Sequence, residues 1–126
     1  MKKVYTIGEV LVDMMMDKFP NYQAMFGGAP ANVAMNVAKF GAPTYFLGNF
    51  GEDHLASFLR KTMKKRHINL DYATSQGKTT LAFVSGDDFG ERDFQFYSES
   101  DQAYDLPENL ELDDNSIVHF GGQPLF

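Results

Sequence analysis

Cysteine is absent from the 126 residues, which excludes a disulfide framework, a thiolate metal site and a cysteine nucleophile, and fits a reducing, cytoplasmic setting. Basic residues are scarce: 11 stand against 17 acidic ones, for a formal net charge of -6. They cluster only at Lys64 to Arg66, so no basic stripe is available to follow a phosphodiester backbone and nucleic acid is not expected as a partner. Long apolar runs are missing as well. The run that opens at Val4 is broken by Gly8, Glu9 and Asp13, too early for an export signal, and no window approaches the roughly 18 apolar residues of a membrane span. His54, His67 and His119 have no metal-ligand spacing, and the acidic segment from Asp105 to Asn115 lacks a calcium-loop pattern, so no metal site is expected.

What remains is 44% hydrophobic and 14% aromatic, enough for one globular domain with a core. Val4 to Ile7 reads as a first strand, and Leu11 to Met16 continues extended after a break. A helix follows with Pro30 in its first turn, an apolar stripe of Val33, Ala34, Val37 and Ala38, and a stop at Gly41 and Pro43. Thr44 to Phe50 is the next strand, and Asp53 caps a second helix with Leu55, Phe58, Leu59, Thr62 and Met63 on one face. This alternation predicts a parallel sheet covered by helices. Thr79 to Ser85 and Asp93 to Ser98 predict an antiparallel hairpin around GDDFGER, with Phe94 and Phe96 on one face and Gln95 and Tyr97 on the other. Ile117 to Phe120 reads as a further buried strand. With nothing after it to cover its edge, the chain reads as unfinished.

The stretch GGAPANVAMNVAKFGAPTYFLGNFGED, Gly27 to Asp53, holds the strongest signal. It matches neither the dinucleotide fingerprint nor the P-loop. Two glycines let a ligand or a moving segment approach the backbone. Asn32, in the first helical turn, points back over Gly27 and Gly28, and Asp13 converges from the extension of the first strand. An acceptor-only carboxylate beside a carboxamide, over a glycine floor, suits a neutral polyol such as a sugar. From spacing alone the alternative stays open that Asn32 is a local cap, Asp13 a solvated charge and Gly27-Gly28 a tight turn.

The pattern Gly27, Gly28, Asn32, Ala34, Gly41 and Gly51 resembles the first signature of the PfkB (ribokinase-like) carbohydrate kinases, and GEVLVD and GNFGED are similar to two further segments of that family. TTLAFV, GERDFQFY and IVHFGG look most like bacterial fructokinases. The resemblance implies a Rossmann-like α/β domain, with helices on the faces of a parallel sheet and a small β lid built from segments near 11–26 and 78–99. It also implies that Asp13 and Asn32 bind sugar hydroxyls, that Gly27 and Gly28 give close backbone contact and a hinge, and that Phe96 or Tyr97 covers the sugar. Arg92 resembles the arginine of the fructokinase G-E-R segment and is a candidate ligand or partner contact.

The family's second signature, ending in Gly-Ala-Gly-Asp, supplies the catalytic base and the anion hole for the transferred phosphate, and no segment of this sequence matches it. The resemblance therefore implies the N-terminal part of an ATP- and Mg²⁺-dependent sugar kinase, with no catalytic residue in this segment and neither cofactor held by it alone. Fructose is the expected sugar. SESDQAYD departs from the fructokinase pattern, which keeps ribose, a nucleoside or a keto-deoxy sugar acid as alternatives. A non-catalytic half-kinase that forms a homodimer through its lid is the competing reading.

Overall fold

The computed structural model describes residues 2–86 and 92–121. In chain order these form β1 (Lys3–Ile7), β2 (Leu11–Met16), β3 (Tyr22–Gly27), α1 (Ala29–Lys39), β4 (Thr44–Leu47), α2 (His54–Lys65), β5 (Leu81–Gly86), β6 (Arg92–Tyr97), a 3₁₀ turn (Ser100–Gln102) and β7 (Ser116–Phe120). The strands make two sheets. One is parallel, in the order β4-β1-β7, with Tyr5 opposite Tyr45 and Val118. The other is mixed, in the order β3-β2-β5-β6, with β2 antiparallel to β3 and parallel to β5.

Both helices form for reasons visible in the sequence. Pro30 occupies the first turn of α1, where its missing N–H costs nothing. Gly41, at φ +90°, follows the last turn, and its N–H donates to the Ala38 carbonyl. Asp53 caps α2 by accepting from the Ala56 N–H at 3.0 Å, while Lys64 and Lys65 sit at the negative end of the helix dipole. The core between helices and sheets joins Val10, Val12, Ala31, Ala34, Phe46, Phe50, Leu59 and Met63, all fully buried. The buried line of α1 runs through Pro30, Ala31 and Ala34, with Val33 and Val37 at its margin. Small side chains at the centre of the contact let the helix backbone approach the sheet, and the valines fill the sides.

On the other face of the parallel sheet Tyr5 and Tyr45 stack, with ring centroids 4.5 Å apart and planes 10° apart. Tyr72, Tyr104 and Leu110 pack around them. The Tyr104 hydroxyl donates to the Tyr72 carbonyl at 2.8 Å, and burial pushes the Tyr104 phenol up to about 12. The acidic connector is thus pinned to the sheet at Leu110 rather than wholly solvated.

Two readings of the strands change. β2 is extended, as its pattern predicts, and is an inner strand of the mixed sheet together with β3, β5 and β6. Tyr22–Gly27, not separated as a strand by its sequence pattern, pairs with β2 along its full length. β7 exists where expected, yet Ile117, Val118 and Phe120 are exposed, because β7 pairs only with β1 and no described helix packs over it. The turn expected within GDDFGER lies mostly outside the described residues.

Gly48, at the end of β4, has no room for a side chain: an added Cβ would stand 2.4 Å from the Gly8 carbonyl oxygen and 2.6 Å from the Phe46 ring. Gly48→Ala is expected to cost about 1–3 kcal/mol of stability, seen as a lower urea midpoint. An unchanged midpoint would show that β1 and β4 separate more easily than their packing implies.

Candidate functional site

Strand alternation sorts the side chains of the mixed sheet onto two faces. Asp13 stands opposite Met25 on β3 and Ala82 on β5, and Ala82 stands opposite Phe96 on β6. Leu11 stands opposite Gly27. Asp13, Gly27 and Phe96 therefore share a face. Phe94 and Phe96 lie parallel there, with centroids 6.5 Å apart, and both are more than half exposed. Tyr97 stands opposite Leu81 on the reverse face, in edge contact with Phe83, which in turn meets Tyr22. The two aromatic candidates thus separate: Phe96 is on the Asp13 side and Tyr97 is not.

Gly27 is the floor beneath Asp13. A Cβ at Gly27 would lie 2.6 Å from Asp13 Oδ2 and 2.8 Å from its Cγ, so any other residue would displace the carboxylate. Gly28 adopts φ +102°, and a Cβ there would lie 2.7 Å from the Glu9 carbonyl oxygen. This glycine is needed both for its conformation and for its close approach to the segment entering β2. Asn32 sits in the first turn of α1, its N–H donating to the Gly28 carbonyl at 2.9 Å and its side chain exposed. The helix N-cap is Gly28, with no side-chain hydrogen bond, so the carboxamide of Asn32 is not spent as a cap. Arg92 opens β6 with its backbone opposite Gly86; its side chain lies outside the described residues.

Asp13 is half-buried, and among the described residues no hydrogen bond reaches its carboxylate. Burial alone raises its pKa above the ordinary 3.8. A partly desolvated acceptor whose oxygens have no hydrogen-bond partner among the described residues is suited to receive hydroxyl donors.

Sequence reasoning missed a second polar group beside this site. Asn49, 1% exposed, donates through Nδ2 to the carbonyls of Gln76 and Ser100, both at 2.9 Å. Its Oδ1 accepts from the Thr74 hydroxyl at 2.8 Å and from the Gln76 N–H at 2.9 Å. Thr80, fully buried, donates its hydroxyl to Asp101 Oδ1 at 2.6 Å and accepts from the Asp101 and Glu99 N–H groups, while its own N–H donates to Ser100 Oγ. Asp53 does more than cap α2: it also accepts the N–H and the hydroxyl of Thr79. Partial desolvation works against its charged form, but the Thr79 and Ala56 hydrogen bonds outweigh it and hold its carboxyl below the usual range. The available signal was the carboxamide inside GNFGED, a polar side chain at the buried end of an apolar strand, which requires partners.

On the reverse face of the mixed sheet lies a cavity of about 820 Å³, walled by Tyr22, Phe83 and Tyr97, with Asp53 and Leu55 at the start of α2. Asp13, Gly27, Gly28 and Asn32 do not line it. Among the described residues no three His, Asp or Glu side chains gather as a metal site, and no helix is long and apolar enough to cross a membrane.

Residues 1–126 match the pfkB family carbohydrate kinase description, and the chain belongs to that family. It is 33% identical over 135 aligned positions to an ATP-dependent 6-phosphofructokinase of Thermoanaerobacterium thermosaccharolyticum, covering 97% of this chain and 40% of that protein. To a probable chloroplastic fructokinase-6 of Arabidopsis thaliana it is 34% identical, covering 94% of this chain and 34% of the relative. The fructokinase of Vibrio cholerae O395, solved with fructose, ADP and a calcium ion bound, superposes with a TM-score of 0.81 at 25% identity, covering 94% of this chain and 40% of that one. The chain thus spans between a third and two-fifths of the length of these relatives.

The raised Asp13 pKa has a consequence for stability. A carboxyl that holds its proton more tightly when folded lowers stability as pH climbs through and above the unfolded-state value. Asp13→Asn is therefore expected to be more stable than the parent at pH 7, with the difference fading as pH falls below 3.8. Urea unfolding at several pH values checks this, and a gap independent of pH would show that Asp13 is as well solvated folded as unfolded.

Proposed function

We propose that the Asp13 face of the mixed sheet is the sugar-binding side of an ATP-dependent sugar kinase to which this segment contributes its N-terminal part, and that the sugar is fructose. The observation that supports this most is the half-buried Asp13 carboxylate, seated on Gly27 without a donor. Its two oxygens accept two neighbouring sugar hydroxyls, and the exposed Asn32 carboxamide offers donors and an acceptor to others. Gly27 and Gly28 let the ring come down onto the backbone. Phe96 covers it from the same face, with the mixed sheet acting as the lid. The fructokinase named above was solved with fructose and ADP, which agrees with the choice of sugar and nucleotide.

In such a kinase the γ-phosphate moves to a primary hydroxyl, and catalysis is chiefly positioning and charge stabilisation. The residues described here bind and orient the hydroxyls and shield them from water. No Gly-Ala-Gly-Asp segment occurs in the sequence, and we assign no residue of this chain to deprotonating the sugar or to holding ATP or Mg²⁺.

Asp13→Ala in the intact kinase is expected to weaken fructose binding at least ~10-fold, the scale of losing one hydrogen bond to a charged group, with nucleotide affinity unchanged. Calorimetry with each ligand separates the two, and an unchanged fructose affinity would remove Asp13 from the site.

The exposed strip of Met25, Phe94 and Phe96 favours a second reading, in which this face packs on a second copy of the chain. Sedimentation across a concentration series distinguishes the two. A dimer insensitive to sugar supports self-association as the role of the face, and a monomer at high concentration opposes it.

A further inference from the structure

The 17 acidic residues are unevenly placed: none falls within 18–51 or 54–70, the two spans that hold β3, α1, β4 and α2. The same spans carry Lys39, Lys61, Lys64, Lys65 and Arg66. A chain of net charge -6 therefore has two helices without a single carboxylate side chain.

The fold gathers these cations at one end. The Arg66 guanidinium, at the C-cap of α2, donates to the Met35 carbonyl of α1 at 2.9 Å, which brings the C-terminal ends of the two helices together. Lys39 follows Met35 by one turn on the same face of α1, and Lys61, Lys64 and Lys65 lie in the last two turns of α2. All five are exposed, and none has an ion-pair partner among the described residues. The negative ends of two helix dipoles amount to about one unit of charge, so most of this positive charge is left uncompensated. Of the acidic residues just before β7, Asp113 is paired with Lys3 at 3.5 Å. Phe40, the C-cap of α1, stands next to Lys39 and is 84% exposed, more than any other large hydrophobic side chain among the described residues.

We propose that the joined C-terminal ends of α1 and α2 are a docking surface for the anionic headgroups of a lipid bilayer, with the cations over the lipid phosphates and the Phe40 ring entering the headgroup layer. Charge complementarity carries the choice. The remainder of the chain is acidic on balance, so an anionic surface attracts this end alone and sets the orientation of the molecule upon it. Neither the 820 Å³ cavity nor a smaller one of about 320 Å³ is lined by these residues. An exposed ring among long cationic side chains suits shallow entry into a headgroup layer. The 11 residues of α1 span roughly 16 Å from Gly28 to this end, so docking leaves the Asp13 face clear of the bilayer. The proposal does not depend on what that face binds.

Cosedimentation of the intact kinase with vesicles tests it. Retention is expected on vesicles of equal parts phosphatidylglycerol and phosphatidylcholine and not on phosphatidylcholine alone. It should fall at least ~10-fold as salt rises from about 0.05 M to about 0.5 M. Lys64→Glu combined with Lys65→Glu should weaken it at least ~100-fold, and Phe40→Ser, which leaves the charge unchanged, about tenfold. These side chains are exposed, so the urea midpoints should match the parent. Equal retention on both kinds of vesicle, or none on the anionic kind at low salt, would overturn the proposal. So would anionic retention that survives either substitution. Capture by polyglutamate with no retention on vesicles would assign the patch to an acidic protein segment and overturn it as well. The comparison of vesicles with the unsubstituted protein decides the matter even if a variant does not fold.

Discussion

The carboxamide of Asn49, buried with every donor and acceptor used, is the joint on which the two halves of this structure meet. It sits just past β4 and ties the end of the parallel sheet to the segment entering β5 and the segment leaving β6. A polar group so deep is tolerable only when fully satisfied. Its partners must therefore stay in place, and they are backbone atoms of the crossings that carry the mixed sheet. Asp53, four residues on, repeats the device by capping α2 and holding Thr79 at once.

From that joint the functional geometry follows. With β5 fixed, β2 is placed through its parallel pairing, and β2 in turn places Asp13 beside Gly27 on β3. The carboxylate loses stability in a half-buried position with no hydrogen-bond donor among the described residues, a local cost of the kind the proposed sugar site would carry. The glycine pair has two jobs that differ by one residue: Gly27 leaves space for the Asp13 side chain, and Gly28 supplies a backbone angle and a close approach to Glu9. Membership of the pfkB carbohydrate kinase family gives this arrangement its setting, and Asp13, opposite Ala82, lies near the end of β5 that Thr80 fastens.

Much of the architecture was legible in the sequence because it is written in local terms. Pro30, Gly41 and Asp53 mark helix ends through their own backbone chemistry, and the alternation in β6 sorts Phe96 from Tyr97 without any knowledge of the sheet. What was not legible depends on partners distant in sequence. The extended pattern of Leu11 to Met16 says nothing of which sheet it joins, and the run SIVHF reads as buried although its cover is not written within it. Asn49 and Ser100 carry no local pattern; Ser100 lies in SESDQAYD, where the sequence shows a departure from the fructokinases and the structure shows a residue bonded to Thr80. For the candidate site, Asp13, Gly27 and Phe96 fall on one face, while the sequence could not tell that Asp13 has no donor among the described residues.

The titration of the Asp13 carboxyl, followed by carbon-13 NMR in the intact kinase with and without fructose, tests the account most directly. Without sugar its pKa lies above the ordinary carboxylate value, through burial. Hydroxyl donors that bind the charged form must lower it, so saturating fructose is predicted to bring the value down. A pKa that stays the same when fructose binds would contradict the account, because the sugar would then be held somewhere other than over Asp13 and Gly27.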